Sequence, residues 1–261
     1  MSQIAETFAR IRKQGSPGLV TYVTAGDPDV TRTAGILRSL DSAGADVLEV
    51  GVPFSDPLAD GPVIQRATER ALASGTTLAQ VLDVVGCVRA DLRAPIVIFS
   101  YANPILRMGA ERFADRAREV GVDGVLILDL PIEEADESRN MLSARGIDTI
   151  LLLSPTTTDE RLRKAAALGS GFLYAISRLG VTGARDRIAD GAQSMVERIR
   201  RVSDLPVALG FGISRPEHVC EVGRWADAAV VGSALVNVIA EAGAAADLNR
   251  RVEEYVRWLK S

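Results

Sequence analysis

The chain has 261 residues, 47% of them hydrophobic and 25% charged, and a formal net charge of −4. That balance excludes wholesale disorder and supplies enough apolar residues for a sizeable core. The mild acidity argues against nucleic acid or an anionic membrane as the main partner. The first segment, MSQIAETFARIRKQG, sets Ile4, Phe8 and Ile11 at helical spacing with charges between them. This is an amphipathic helix, not the apolar core of a signal peptide. Eight short, apolar, strand-like runs follow, at 18–25, 46–50, 95–100, 124–128, 147–153, 172–177, 206–211 and 227–232. Amphipathic segments such as VTRTAGILRSLDSAG, AERFADRAREVG and TDERLRKAAALG separate them, and several end in Gly, the expected helix stop. The most apolar long stretch, AAVVGSALVNVIA, is too short to span a bilayer. Cys87 and Cys220 form no CxxC pair, which fits a reduced, cytoplasmic setting with both as packing residues.

Strands that are apolar on both faces, each followed by a helix, imply a parallel sheet covered on both sides. Eight such units predict an α/β fold, a closed (β/α)₈ TIM barrel forming a single domain over residues 1–261. Extra helices are expected before the first strand and at 246–260. An open doubly wound sheet is the alternative, but no GxGxxG follows the first strand. Two loops break the spacing, Gly51–Gly61 after the second strand and 178–190 after the sixth. Both fall at C-terminal strand ends, where barrel enzymes place their chemistry.

Absences narrow that chemistry. His218 is the one histidine, expected on a helix after the seventh strand, so multi-histidine metal sites are excluded and Ser-His or Cys-His catalysis is disfavoured. Lys13, Lys164 and Lys260 all fall in helical segments, which leaves no lysine in the mouth for a Schiff base. Acid–base catalysis by carboxylates remains. Glu49, in the strand DVLEV, shares a face with Val47 and opposes Leu48 and Val50. Inside the barrel, its apolar neighbours would raise its pKa toward neutrality. A buried acid paired with an arginine is the structural alternative. Asp60 sits in a polar, turn-rich loop ending ADGP, where turn chemistry alone would also account for it. GFGIS (210–214) and GSALV (232–236) close the seventh and eighth strands and lead into helices. Their amides and the Ser233 hydroxyl make a candidate phosphate cradle. Isomerases, lyases and epimerases of phosphorylated metabolites all satisfy this set.

The stretch LEVGVPFSDPLADGPVIQ (48–65), with TAGDP, YANPI, DLP, SRLGVTGAR, GFGIS and GSA in the same order, closely resembles the tryptophan synthase α chain family across nearly the whole length. The resemblance implies cleavage of indole-3-glycerol phosphate to indole and glyceraldehyde 3-phosphate. It implies no cofactor in this chain, and a pyridoxal-phosphate β chain as partner in an α₂β₂ heterotetramer. By the same resemblance Glu49 is the catalytic acid–base and Asp60 its helper. Gly183, Phe211, Gly212, Gly232 and Ser233 hold the phosphate. Tyr22, Ile64, Tyr101, Leu126 and Tyr174 line the substrate pocket, and Thr182 meets Asp60 on loop closure. Asp56, Pro57, Asn103 and Pro104 face the partner. A stand-alone indole-releasing lyase, a non-catalytic regulatory subunit and a phosphosugar isomerase are the rival readings.

Overall fold

The computed structural model describes residues 1–176, 191–210 and 212–261. Eight parallel strands close a barrel in sequence order. They are β1 (Gly18–Thr24), β2 (Val47–Gly51), β3 (Ile96–Ser100), β4 (Gly124–Ile127), β5 (Asp148–Leu153), β6 (Leu173–Ile176), β7 (Val207–Gly210) and β8 (Ala228–Val231), with β8 pairing back onto β1. Each falls within a residue or two of its expected position. The helices among the described residues are α1 (Gln3–Gln14), α2 (Val30–Ser42), α3 (Pro62–Ala73), α4 (Leu78–Val88), α5 (Ala102–Met108), α6 (Ala110–Glu119), α7 (Ala135–Ser143), α8 (Asp159–Leu168), α9 (Ala192–Arg200), α10 (Pro216–Val222), α11 (Ser233–Ala242) and α12 (Leu248–Leu259). No single helix among them is long and apolar enough to cross a membrane.

Strand alternation sends one set of side chains outward, against the helices, and the other into the barrel. Leu48 and Val50 of β2 join the outer core with Ile36, Leu37 and Leu82, while Val47 joins Val20, Val97, Ile150, Ala208 and Ala228 inside. Helix α1 plugs the base of that inner core. Its N-cap Ser2 accepts a hydrogen bond from the Ala5 amide at 3.2 Å, Gly15 ends it in the left-handed conformation, and its apolar stripe packs into the barrel. The Phe8 ring lies 5.3 Å from that of Phe172. With the base sealed, a substrate can enter only at the opposite, C-terminal mouth.

The base carries a repeated device. A polar residue one to three positions before each even-numbered strand exchanges two hydrogen bonds with the strand before it. Asp46 donates its amide to the Leu19 carbonyl at 2.8 Å and accepts the Leu19 amide on Oδ2 at 3.0 Å. Asp123 does the same with Ile96 at 2.9 and 2.8 Å, and Asp227 with Val207 at 2.9 and 2.8 Å. Ser170 does it with Thr149 through its hydroxyl, at 2.9 Å each way. Asp46 also binds Arg10 of α1 and Lys260 at the chain's end, each at 3.0 Å, fixing both terminal helices to the base.

Both cysteines depart from expectation. Cys87 and Cys220 are free and exposed, not packing residues. Cys87 lies off the stripe of Val81, Leu82, Val85 and Val88 that α4 buries, and so points outward. His218 is buried in α10 as a structural residue, its Nδ1 accepting the Ser214 amide at 3.3 Å.

Candidate active site

Glu49 is fully buried inside the barrel, beside Tyr22 of β1 and Val97 of β3 in the strand register. Neither carboxylate oxygen has a hydrogen-bond partner among the described residues. The arginine pairing considered as the alternative is therefore absent among those residues. Burial alone pushes the Glu49 pKa from its ordinary 4.5 up to about 8. An acid so placed holds its proton at neutral pH and can give it up to a base in the mouth.

Asp60 ends the loop that follows β2, and 7% of it is exposed. Burial raises its pKa to about 6, against a hydrogen bond from Tyr101 that lowers it. The Tyr101 hydroxyl donates to Asp60 Oδ2 at 3.1 Å. Two acids of one cavity thus titrate at different pH, one mostly protonated and one mostly ionised near neutrality.

Aromatic and aliphatic groups surround them. Tyr22 meets Phe99 edge-on at 5.2 Å, and with Ile64 and Ala67 of α3 and Val236 of α11 forms one wall. The Tyr22 hydroxyl lies 3.4 Å from Thr24 Oγ1. Leu126 of β4 and Tyr174 of β6 share the inner core, and Tyr174 feels the charges of both Glu49 and Asp60. Two glycines admit these rings. A Cβ on Gly51 would overlap the Tyr22 hydroxyl, and one on Gly210 would lie 2.6 Å from the Tyr174 hydroxyl. Larger residues at either strand end would push the phenols out of the mouth.

At the far side, β7 and β8 end next to each other, and Ser233 opens α11 with Gly232 as its N-cap. Gly212 has φ +86, which favours glycine, and turns the chain after β7. Gly212, Gly232 and Ser233 therefore lie at the mouth, where helix amides are available to an anion. Phe211, Thr182 and Gly183 lie outside the described residues.

The partner-facing candidates lie on the same end. Asp56 and Asn103 are exposed, and Pro57 and Pro104 partly so. The sequence reading missed their apolar neighbours Leu58, 92% exposed, and Leu106, 67% exposed. Leu106 follows the buried Ile105 on a short helix, so one-face periodicity would have flagged it as unpartnered. It also missed Tyr101 as a hydrogen-bond donor to Asp60, and the pairing of Asp27 with Arg70. Arg70 Nε and an Arg70 terminal nitrogen donate to the two oxygens of buried Asp27, each at 2.7 Å, tying the loop after β1 to α3.

Fold and site together define a (β/α)₈ barrel with two buried acids of separated pKa, Glu49 and Asp60, and with glycine-containing turns after β7 and β8. The family model described as tryptophan synthase alpha chain matches residues 8–261. A tryptophan synthase alpha chain from Geobacter sulfurreducens is 48% identical over 260 residues, covering 100% of this chain and 98% of its own. Another, from Citrifermentans bemidjiense, is 50% identical over 236 residues, covering 90% and 88%. Among solved structures, tryptophan synthase subunit alpha from Legionella pneumophila superposes with a TM-score of 0.91 at 36% identity, covering 100% and 97%. A chain of Mycobacterium tuberculosis tryptophan synthase gives 0.92 at 34%, covering 99% and 97%. The chain belongs to the tryptophan synthase α chain family, lyases that cleave indole-3-glycerol phosphate in tryptophan biosynthesis. Membership carries with it a β-chain partner.

Proposed function

We propose that Glu49 is the proton donor and acceptor of this cleavage, with Asp60 as its electrostatic partner. The buried, unpartnered carboxyl of Glu49 carries the reading. Indole C3 cannot accept the electrons of a breaking C–C bond while the ring is aromatic. The Glu49 acid transfers its proton to C3, giving an indoleninium whose positive charge reaches the ring nitrogen. The Asp60 carboxylate, facing that N–H, stabilises the charge. The Glu49 carboxylate then takes the proton of the side-chain hydroxyl next to C3. The C–C bond breaks, its electrons restore the indole, the carbonyl of glyceraldehyde 3-phosphate forms, and Glu49 is again protonated. Tyr22, Ile64, Tyr101, Leu126 and Tyr174 hold the ring. Gly212, Gly232 and Ser233 receive the phosphate, joined in this reading by Gly183 and Phe211, and Thr182 meets Asp60 on closure.

The two titrations set the pH dependence of indole release. Asp60 must be ionised, so activity falls as pH drops through about 6. Glu49 must be protonated, so activity falls as pH rises through about 8. Indole release from indole-3-glycerol phosphate, followed from pH 5 to 9, is expected to be bell-shaped. A rate that rises steadily with pH would remove Glu49 as the donor.

The same reading places the chain in the cytoplasm, in an α₂β₂ heterotetramer whose β chain holds pyridoxal phosphate and consumes the indole. Asp56 and Pro57, Asn103 and Pro104 would contact β, with Leu58 and Leu106 supplying apolar area that is otherwise exposed. Docking there would press on the loop that carries Asp60. Adding a cognate β chain is expected to raise the turnover of the α reaction, and a bound substrate analogue to tighten α–β affinity by the same linkage. No activation, together with unchanged affinity, would favour a stand-alone lyase.

A further inference from the structure

Tyr101 occupies an unusual place between the chemistry and the loop. It follows the last residue of β3 and opens α5 as its N-cap. Its side chain is buried and its ring lies against Phe54, with centroids 5.0 Å apart. Its hydroxyl serves two neighbouring residues of one loop. It accepts the Ala59 amide at 3.1 Å and donates to Asp60 Oδ2 at 3.1 Å. An oxygen that accepts from a backbone amide has its own proton directed elsewhere, here at the carboxylate. The donation favours the anion of Asp60 and fixes the plane of its carboxyl group.

We propose that Tyr101 is a positioning residue: its hydroxyl, shared between the Ala59 amide and the Asp60 carboxylate, orients Asp60 toward the substrate and keeps it ionised. The inference rests on the reading of Asp60 as the carboxylate that faces the indole nitrogen. Four other titratable groups bear on this pair. Tyr22 on β1 and Tyr174 on β6 couple electrostatically to Asp60, and Glu49 on β2 couples to both of those tyrosines. Asp129, after β4, acts on Tyr101 and accepts the Ala102 amide at 2.7 Å. The three tyrosines are held neutral, their pKa values raised chiefly by burial. Burial acts to protonate Asp60, and the Tyr101 hydroxyl opposes it.

The test is Tyr101→Phe in the full chain, which keeps the ring on Phe54 and removes only the hydroxyl. Two measurements are needed: the pH profile of kcat/KM for indole release, and the titration of the Asp60 carboxyl carbon by ¹³C NMR, assigned by its loss in Asp60→Asn. In Tyr101→Phe the Asp60 titration and the acid limb of the profile are expected to move up together by about one pH unit, while the alkaline limb stays. Activity is then about fivefold low at pH 6 and recovers most of the way above pH 7. An Asp60 titration at the parental pH, with activity lowered equally at every pH, would overturn the proposal and leave Tyr101 a packing residue. If the Asp60 titration moves but the acid limb does not follow it, Tyr101 still sets the state of Asp60, and the catalytic reading of Asp60 is what fails. Phe54→Leu, which loses the ring contact and keeps the hydroxyl, serves as the control for loosened packing: it should leave the Asp60 titration in place, and a shift equal to that of Tyr101→Phe would also overturn the proposal.

Discussion

Glu49→Gln is expected to lose ~10²–10⁴ of turnover, the usual worth of general acid–base catalysis, while making the folded chain more stable. The second effect follows from the pKa shift. Folded Glu49 titrates at about 8, against an ordinary 4.5. Below that ordinary value both folded and unfolded chains hold the proton, and pH has no leverage. As pH rises from there toward 8, the unfolded chain releases its proton first, and the folded state loses ground. Above 8 the loss is complete, on the order of a few kcal/mol. Gln carries no charge at any pH, so the stability gap between variant and parent should open with pH. Melting curves at pH 5 and pH 9 read the gap directly, and indole release reads the activity. A folded variant with near-parental turnover would refute the role of Glu49. A gap equal at both pH values would refute its raised pKa.

Arg70→Met should be the most damaging substitution away from the two acids. It leaves Asp27 buried, 2% exposed, without the two hydrogen bonds that neutralise it. Breaking one side of a buried ion pair typically costs ~3–5 kcal/mol. Arg70 is itself partly exposed, so the lower figure is the better expectation, a melting temperature roughly 6–12 °C lower for a chain of this size. Asp27→Asn in the same background removes the stranded charge and should restore part of the loss. A double variant no better than Arg70→Met would mean that packing of the arginine stem, not the charge, holds the loop after β1 to α3. Because α3 carries Ile64, KM for the indole substrate should rise in the single variant.

The barrel was legible in the sequence because a strand buried on both faces needs an unbroken apolar run, and a helix packed on it needs a stripe. Val47, Leu48 and Val50 satisfy the first, and Ile4, Phe8 and Ile11 the second. Glu49 was legible for the same reason, as an acid set between two apolar residues, Leu48 and Val50, of such a run. Asp60 was only half legible, since an Asp before Gly-Pro makes turns anywhere. The Tyr101 hydrogen bond was not legible at all. It joins residues 41 apart in sequence through side chains whose directions depend on loop geometry. The same limit hid Asp27 with Arg70, which are 43 apart. The cysteines were misjudged by residue type, because cysteine is more often buried than not. Position on the helix decides instead, and Cys87 stands outside the stripe that α4 buries.

The polar pairs at the base divide the ring into four fastened blocks. Asp46 closes β1 onto β2, Asp123 closes β3 onto β4, Ser170 closes β5 onto β6, and Asp227 closes β7 onto β8. Each clasp lies within a strand–helix–strand segment, so the clasps themselves skip every second junction. Such fourfold recurrence is the mark a chain would carry if it had grown by duplicating a segment of two strands. It also says where the ring can be opened. New termini in the exposed turn between α7 and β5 would leave all four clasps whole, whereas termini between β5 and the end of α8 would divide one of them. The order of the eight strands in space need not be their order along the chain, provided the cuts respect the blocks.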